Sequence, residues 1–231
     1  MRRIILIALL LGVPLTAADP IRVQITTGGH PYDISFYGVF EGQDDLAVTV
    51  NPHPSAFRRY FRKFVDVLVL YDLADATGEA ERKNLQDFLE SGRGMVVLHH
   101  AIADNWQWKW WCEEVVGGRF LMGDEGPLRR SVAKAPETIT AAPKLNHPVL
   151  KDVGILRLND EAYKGMWISP HSLVLMETDN PNNDKAVAWI GPWKKSRVVV
   201  IQLGHGPGAH RDPGYRRLVR NAVLWAAGKL N

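Results

Sequence analysis

The chain has 231 residues, a length that suits one α/β domain with a full core. Charged residues make up 23% and the hydrophobic set 46%, which excludes a disordered or fibrous chain. The formal net charge is only +3, and no basic stripe is interleaved with aromatics, so nucleic acid is not the expected partner.

Residues 1–18 read as a secretory signal peptide. Arg2 and Arg3 precede an apolar run over 4–11, and Thr16-Ala17-Ala18 supplies small residues before Asp19. The run is too short to span a bilayer, so no stable membrane span is expected after cleavage. Export is expected, to a periplasm or as a secreted protein, with 19–231 as a single domain. Cys112 is the one cysteine, so no internal disulfide can form. Its neighbours Trp110, Trp111 and Glu113 read as helix, where a small buried residue fits.

In the mature chain, residues 21–26 alternate enough to form a first strand that ends in Thr27-Gly28-Gly29-His30. A helix is expected after Asp33, with Phe36, Val39 and Phe40 inward. Residues 46–50 predict a second strand, and Ser55 a cap for a helix carrying Phe57, Tyr60 and Phe61. The nearly all-apolar run 66–71 predicts a third strand. Thr77 reads as a helix N-cap, Glu79 to Ser91 as the helix and Gly92 as its stop. Leu85, Phe88 and Leu89 recur at helical spacing and form its buried face. Met95-Val96-Val97-Leu98 then follows Gly94 as a strand buried on both faces, running straight into His99-His100.

The middle of the chain is less regular. Residues 104–116 are tryptophan-rich and helical in their later part. Short strands are expected at 129–132, 137–140 and 155–158, and further ones at 173–177, 186–190 and 198–202. A last helix starts at Pro213, the first helical position, and carries Tyr215, Leu218, Val219, Ala222, Val223 and Trp225 inward. Repeated strand–helix alternation predicts an α/β fold: a mostly parallel sheet flanked by helices, with additional short strands in the second half.

Three polar constellations stand at expected strand ends: Gly28-Gly29-His30, His99-His100, and Gly204-His205-Gly206 after the 198–202 strand. Parallel strands would put all three on one edge, where ligands of open α/β sheets bind. A fourth group, Asn159-Asp160-Glu161-Ala162-Tyr163, follows the 155–158 strand. Imidazoles with one carboxylate suit a divalent metal such as zinc, manganese or nickel, with His30, His99 and His205 as candidate ligands. The same groups can serve as acid and base without a metal, with His99, His100, Glu161 and Tyr163 as candidate catalytic residues. The spacing matches no compact zinc signature, so any metal site depends on the fold. His53, His147 and His171 each neighbour a proline and read as surface or turn residues, and His210 reads as a capping or surface residue. Trp106 and Trp108, with Trp167 and Trp193, are either sugar-stacking platforms or packing groups.

Gly28-Gly29-His30, Val69-Leu70-Tyr71-Asp72, Leu98-His99-His100-Ala101, Gly117-Gly118-Arg119-Phe120, Asn146-His147-Pro148, Asp160-Glu161-Ala162-Tyr163 and Gln202-Leu203-Gly204-His205, with the closing helix, resemble the successive motifs of ThuA-like (trehalose-utilisation-like) domains. The resemblance implies a flavodoxin-like sheet similar to that of class I glutamine amidotransferases. Those enzymes carry a cysteine at the strand-to-helix elbow, where this chain has His99-His100, so glutamine hydrolysis through a thioester lacks its nucleophile. The resemblance also implies carbohydrate catabolism, with a disaccharide or 3-keto-glycoside as the small-molecule partner and Gly28, Gly29, Asp72 and Trp106 as candidate substrate-binding residues. A hydrolase or lyase, a non-catalytic sugar-binding module and a partner subunit, alone or as a homo-oligomer, all remain compatible with these residues.

Overall fold

The computed structural model of the protein describes residues 19–53, 55–75 and 78–231; the signal peptide expected at 1–18 and the Thr77 cap lie outside them. The first half runs β1 (Ile21–Gly28), a 3₁₀ turn (Ile34–Phe40), β2 (Leu46–Val50), β3 (Val67–Asp72), α1 (Glu79–Glu90) and β4 (Gly94–Leu98). A 3₁₀ turn (His99–Ala103) and a π-helical turn (Trp110–Val116) follow. Then come β5 (Gly118–Arg119), β6 (Val132–Pro143), β7 (Leu156–Lys164), β8 (Trp167–Ile168), β9 (Leu173–Thr178), β10 (Ala186–Ile190) and β11 (Val198–Ile201). Helices α2 (Pro207–His210) and α3 (Pro213–Ala226) close the chain.

Among the described residues, nine strands form one sheet in the order β2-β1-β3-β4-β11-β10-β9-β6-β7, and β5 and β8 pair separately. From β2 to β11 every pairing is parallel; from β11 onward every pairing is antiparallel. This is the α/β sheet that strand–helix alternation predicts; its parallel half is built from the first four strands and the last one, β11, with the antiparallel strands coming between them in sequence.

Both faces of the parallel half are covered, and strand periodicity decides which residue faces which cover. In β3, Val67, Val69 and Tyr71 join Val96, Leu98 and the Leu218, Val219 and Ala222 face of α3 in one core. Leu68 and Leu70 join Met95, Val97 and the Leu85, Phe88 and Leu89 face of α1 in the other. Each such side chain contributes roughly 1.5–3 kcal/mol when fully buried, so a strand with no exposed apolar residue requires a helix on each side.

Three elements differ from expectation. Residues 55–64 form turns rather than a helix, although Phe57 and Phe61 are buried as an inward face would be. The expected strands at 129–132 and 137–140 belong to one long strand, β6, which begins only at Val132. Its pairing with β7 shifts register between Lys134 and Glu137, around Pro136, which has no N–H for the ladder. The strand expected at 155–158 is the start of β7, so Asp160, Glu161 and Tyr163 lie inside a strand and not in a loop after it.

The last strand in the sheet order lies four places from β11. A flat sheet would keep them roughly 19 Å apart. Yet Asp160 of β7 accepts hydrogen bonds from the Gly204 and His205 N–H groups just past β11, at 2.7 and 2.8 Å. The antiparallel end therefore folds back onto the carboxyl end of the parallel half. Gly208 of α2 permits the contact, because a Cβ there would lie 2.5 Å from the Asn159 carbonyl oxygen.

Candidate functional site

The chain leaves β4 through His99, which adopts a left-handed φ of 51°, uncommon for a residue other than glycine. This elbow turns the imidazole beneath the loop that follows β11. His99 Nδ1 donates to the Gln202 carbonyl oxygen at 2.8 Å, which leaves Nε2 pointing the other way. Three groups meet it there: the Tyr163 hydroxyl at 3.0 Å, His205 Nδ1 at 3.3 Å and Glu161 Oε2 at 3.3 Å. Glu161 Oε2 also lies 3.2 Å from His205 Nδ1, so three donor atoms form a nearly equilateral triangle.

The electrostatics follow from that packing. Burial disfavours ionisation of Glu161, but the adjacent His205 and His99 outweigh it and hold the carboxyl pKa down at about 2. The Glu161 carboxylate raises the pKa of His205, against burial. Burial, reinforced by Glu161, pushes the Tyr163 phenol well above its ordinary range, so it acts as a neutral hydrogen-bond donor. Phe120 packs against the Tyr163 ring, with centroids 4.9 Å apart, and helps fix its direction.

His100 is adjacent but differs in kind. Burial, with His99 and His30 next to it, drives its pKa down to about 2. Its ring packs 4.5 Å from Tyr71, and Nε2 is buried with no hydrogen-bond partner among the described residues. Such an imidazole exchanges hydrogen bonds but does not carry a proton near neutrality. His30 is exposed, its ring 5.1 Å from that of His100, and its Nδ1 donates to the Pro31 carbonyl at 2.6 Å.

Among the described residues, His99, His205 and Glu161 form the single group of at least three metal-ligating side chains with converging donor atoms. His30, expected as a ligand, lies outside it, and Glu161 completes the triangle. The expected substrate-binding residues are scattered. Gly28 and Gly29 lead into His30, and Gly29 must lack a side chain because a Cβ would sit 2.0 Å from the Leu73 carbonyl oxygen. Asp72 is buried and pairs with His53 at 2.6 Å. Trp106 is half-buried, and its carbonyl accepts from Arg119 at 3.3 Å.

Two histidines depart from their sequence reading. His53 is not a surface residue but the partner of Asp72, and His210 is buried, with Ser35 Oγ at 2.8 Å from Nδ1 and the Gly204 carbonyl 2.9 Å from Nε2. Sequence reasoning passed over Asp160 as a support and Gln202, whose backbone orients His99. The signal for Asp160 was its place beside Glu161, but its target in a loop 44 residues away was not. Cys112 is buried in the π-helical turn, and no thiol stands at the end of β4.

The family model described as ThuA, trehalose utilisation, matches residues 31–226. A ThuA-like protein from Parabacteroides merdae superposes with a TM-score of 0.79 at 17% identity, covering 92% of each chain. A second, from Bacteroides uniformis, gives 0.68 at 20% identity over 93% of this chain and 95% of its own. A cytoplasmic protein from Salmonella typhimurium gives 0.62 at 13% identity over 89% and 99%. At these identities the superpositions establish the shared fold alone. A search of curated protein sequences finds no match. With the matched model spanning the elbow at His99, β7 and the loop carrying His205, the chain belongs to the ThuA trehalose-utilisation family.

Proposed function

We propose that the protein is an exported enzyme of carbohydrate catabolism that acts on a disaccharide or 3-keto-glycoside, using His99, His205 and Glu161 to hold a divalent cation. The observation that carries this reading is the triangle of donor atoms, with edges of 3.3, 3.3 and 3.2 Å. Ligands about 2.0–2.1 Å from a tetrahedral zinc are separated by roughly 3.3 Å, so the side chains need little movement to bind one. The set of two imidazoles and a carboxylate also suits manganese or nickel. His99 supports the fit, because its Nδ1 is tied to the Gln202 carbonyl and its Nε2 is the atom turned toward Glu161 and His205.

A cation there would polarise a sugar carbonyl and acidify the neighbouring C–H. The remaining chemistry belongs to the chain. Tyr163, displaced from His99 Nε2, donates a hydrogen bond to a substrate oxygen. His30, on the exposed rim, takes the C2 proton of a 3-keto-glycoside. The C2–H electrons form C1=C2 as the C1–O bond breaks, and the departing oxygen takes a proton from solvent. Water added across C1=C2 gives net hydrolysis. Burial keeps His100 out of proton transfer; its unpartnered Nε2 is available to a substrate hydroxyl.

Two measurements test this. Elemental analysis of the purified protein should find a stoichiometric divalent metal that is lost in His99→Asn and Glu161→Gln. Mass spectrometry on native and 3-keto disaccharides should detect products with wild type, and His30→Ala should keep the metal but lose turnover. Absence of bound metal at micromolar zinc, manganese or nickel overturns the metal centre. Absence of product with the metal bound overturns the enzyme in favour of a sugar-binding module. Export rests on the residue 1–18 pattern, and the N-terminal sequence of protein recovered from the periplasm or medium, expected to begin at Asp19, tests it.

A further inference from the structure

The opposite edge of the sheet has a different chemistry. Arg22 is the second residue of β1, and Arg93 and Arg197 immediately precede β4 and β11, so all three stand at the amino ends of parallel strands. Two adjoining clefts run along this base and share Gly92, Ala226 and Ala227. Eight lysines and arginines line them against two carboxylates, Asp19 and Asp66, and Glu90 pairs with Lys195 from just beyond. The excess of five is larger than the +3 of the whole chain, so the remainder of the molecule is negative on balance. Asp66 holds Arg22 and Arg93, whereas Lys63, Lys194 and Lys229 are exposed. In sequence these are short separate clusters; only the fold gathers them at one end.

The turns over 58–64 border the larger cleft through Tyr60, Arg62 and Lys63. They are pinned from inside by Phe57 and Phe61, which are buried with Phe88 of α1; the Phe61 and Phe88 rings lie 5.1 Å apart. The same turns hold Tyr60 at 38% exposure and Phe64 at 70%, beside the exposed Arg59 and Lys63. Helix ends account for part of the charge. Both α1 and α3 finish at this edge, where cations are favoured, and Arg197 donates to the Trp225 carbonyl at 2.9 Å. They do not account for an outward phenylalanine set among cations.

We propose that this base docks on an anionic lipid surface, with its lysines and arginines against phosphate headgroups and Phe64 and Tyr60 set into the headgroup boundary. Two observations favour lipid over an acidic polymer. Phe64 offers no hydrogen-bonding atom, which suits acyl chains. Asp19 and Pro20 line the same cleft, so the apolar run expected to lead the chain to a membrane joins it on this side. No described helix is long and apolar enough to cross a membrane, so the contact is peripheral. The six residues of β3 set the other edge roughly 20 Å from the base, and docking leaves His99, His205 and Glu161 on the aqueous side. This inference does not depend on the carbohydrate reading.

Co-sedimentation of the purified full chain with vesicles tests the proposal. One set carries phosphatidylglycerol and phosphatidylcholine in equal parts, the other phosphatidylcholine alone. Wild type should bind the anionic set more tightly, and that preference should vanish at about 1 M salt, where exposed charges are screened. Lys63→Glu should weaken binding to the anionic set at least about fivefold, the loss of one basic group near a charged surface. Phe64→Ser should weaken it about tenfold, the loss of one buried ring. Both residues are exposed, so the unfolding midpoint should stay that of wild type, and residues 1–18 are the same in every variant. Lys134→Glu, the same charge change on an exposed residue of β6, should bind as wild type does. Equal binding to both vesicle sets, or wild-type binding by either Lys63→Glu or Phe64→Ser, overturns the docking surface. Retention on heparin or duplex DNA without retention on vesicles overturns lipid in favour of an acidic polymer.

Discussion

Asp160 and His205 lie 45 residues apart, yet the Asp160 Oδ1 atom accepts the His205 backbone N–H at 2.8 Å. Its other oxygen takes the Gly204 N–H at 2.7 Å, and Oδ1 also accepts from Glu161 N–H at 2.9 Å. One buried carboxylate thus joins β7, which carries Glu161 and Tyr163, to the loop that carries His205.

Asp160→Asn turns an acceptor of three N–H groups into a side chain that presents an NH₂ toward at least one of them. Hydrogen bonds to a charged group contribute about 1.5–3 kcal/mol, so the variant should lose about 2–3 kcal/mol of stability in urea unfolding. It should also lose metal affinity, since Glu161 and His205 are no longer held together. A variant with wild-type unfolding midpoint and metal content would show that the carboxylate does not set this geometry.

The Glu161–His205 pair makes the metal-free protein sensitive to pH in a defined window. The Glu161 pKa is lowered on folding, so its contribution is present above the ordinary carboxylate range near 4.5 and is lost as pH falls toward about 2. The His205 pKa is raised on folding, so its contribution is full below 6.5 and is lost as pH rises through the folded value. The difference in Tm between wild type and Glu161→Gln should therefore be largest between about pH 4.5 and 6.5 and shrink on both sides. A difference that is constant from pH 3 to 9 would contradict the pairing.

Gly29→Ala should be among the most damaging single substitutions on the rim. The residue has a φ of +73°, and a Cβ would meet the Leu73 carbonyl oxygen at 2.0 Å. Left-handed strain and a backbone clash together predict about 2–4 kcal/mol lost. Denaturant unfolding measures the loss, and a change below about 0.5 kcal/mol, ordinary for an unconstrained surface site, would refute the close approach.

His100 should not titrate in the accessible range. Burial holds it near pKa 2, so its ring ¹⁵N signals should report one neutral tautomer from pH 5 to 8 while those of His205 move. A midpoint for His100 near 6.5 would show that its pocket is open to water.

The sequence was informative wherever a signal is local. All-apolar runs bounded by glycine located β3 and β4, Leu85, Phe88 and Leu89 marked the buried face of α1, and Pro213 opened α3 with Asp212 as its cap. The alternation of strands and helices was enough for a parallel sheet, and a parallel sheet was enough to align the ends of β1, β4 and β11. Strand direction alone therefore places His99 and His205 on one edge. The 55–64 segment misled because its buried aromatics follow helical spacing while its backbone turns.

What the sequence by itself determined, then, is the parallel half of the sheet, its two covered faces and the histidines along its carboxyl edge, because periodicity and chain direction are properties of neighbouring residues. Only the tertiary structure decided that Glu161 rather than His30 completes the triangle, that His53 stands on Asp72, and that His100 stays neutral. Each of those depends on the antiparallel strands curling back, or on burial by side chains distant in the chain. A hydrogen bond spanning 44 residues, like a desolvated imidazole, leaves no pattern in the residues on either side of it.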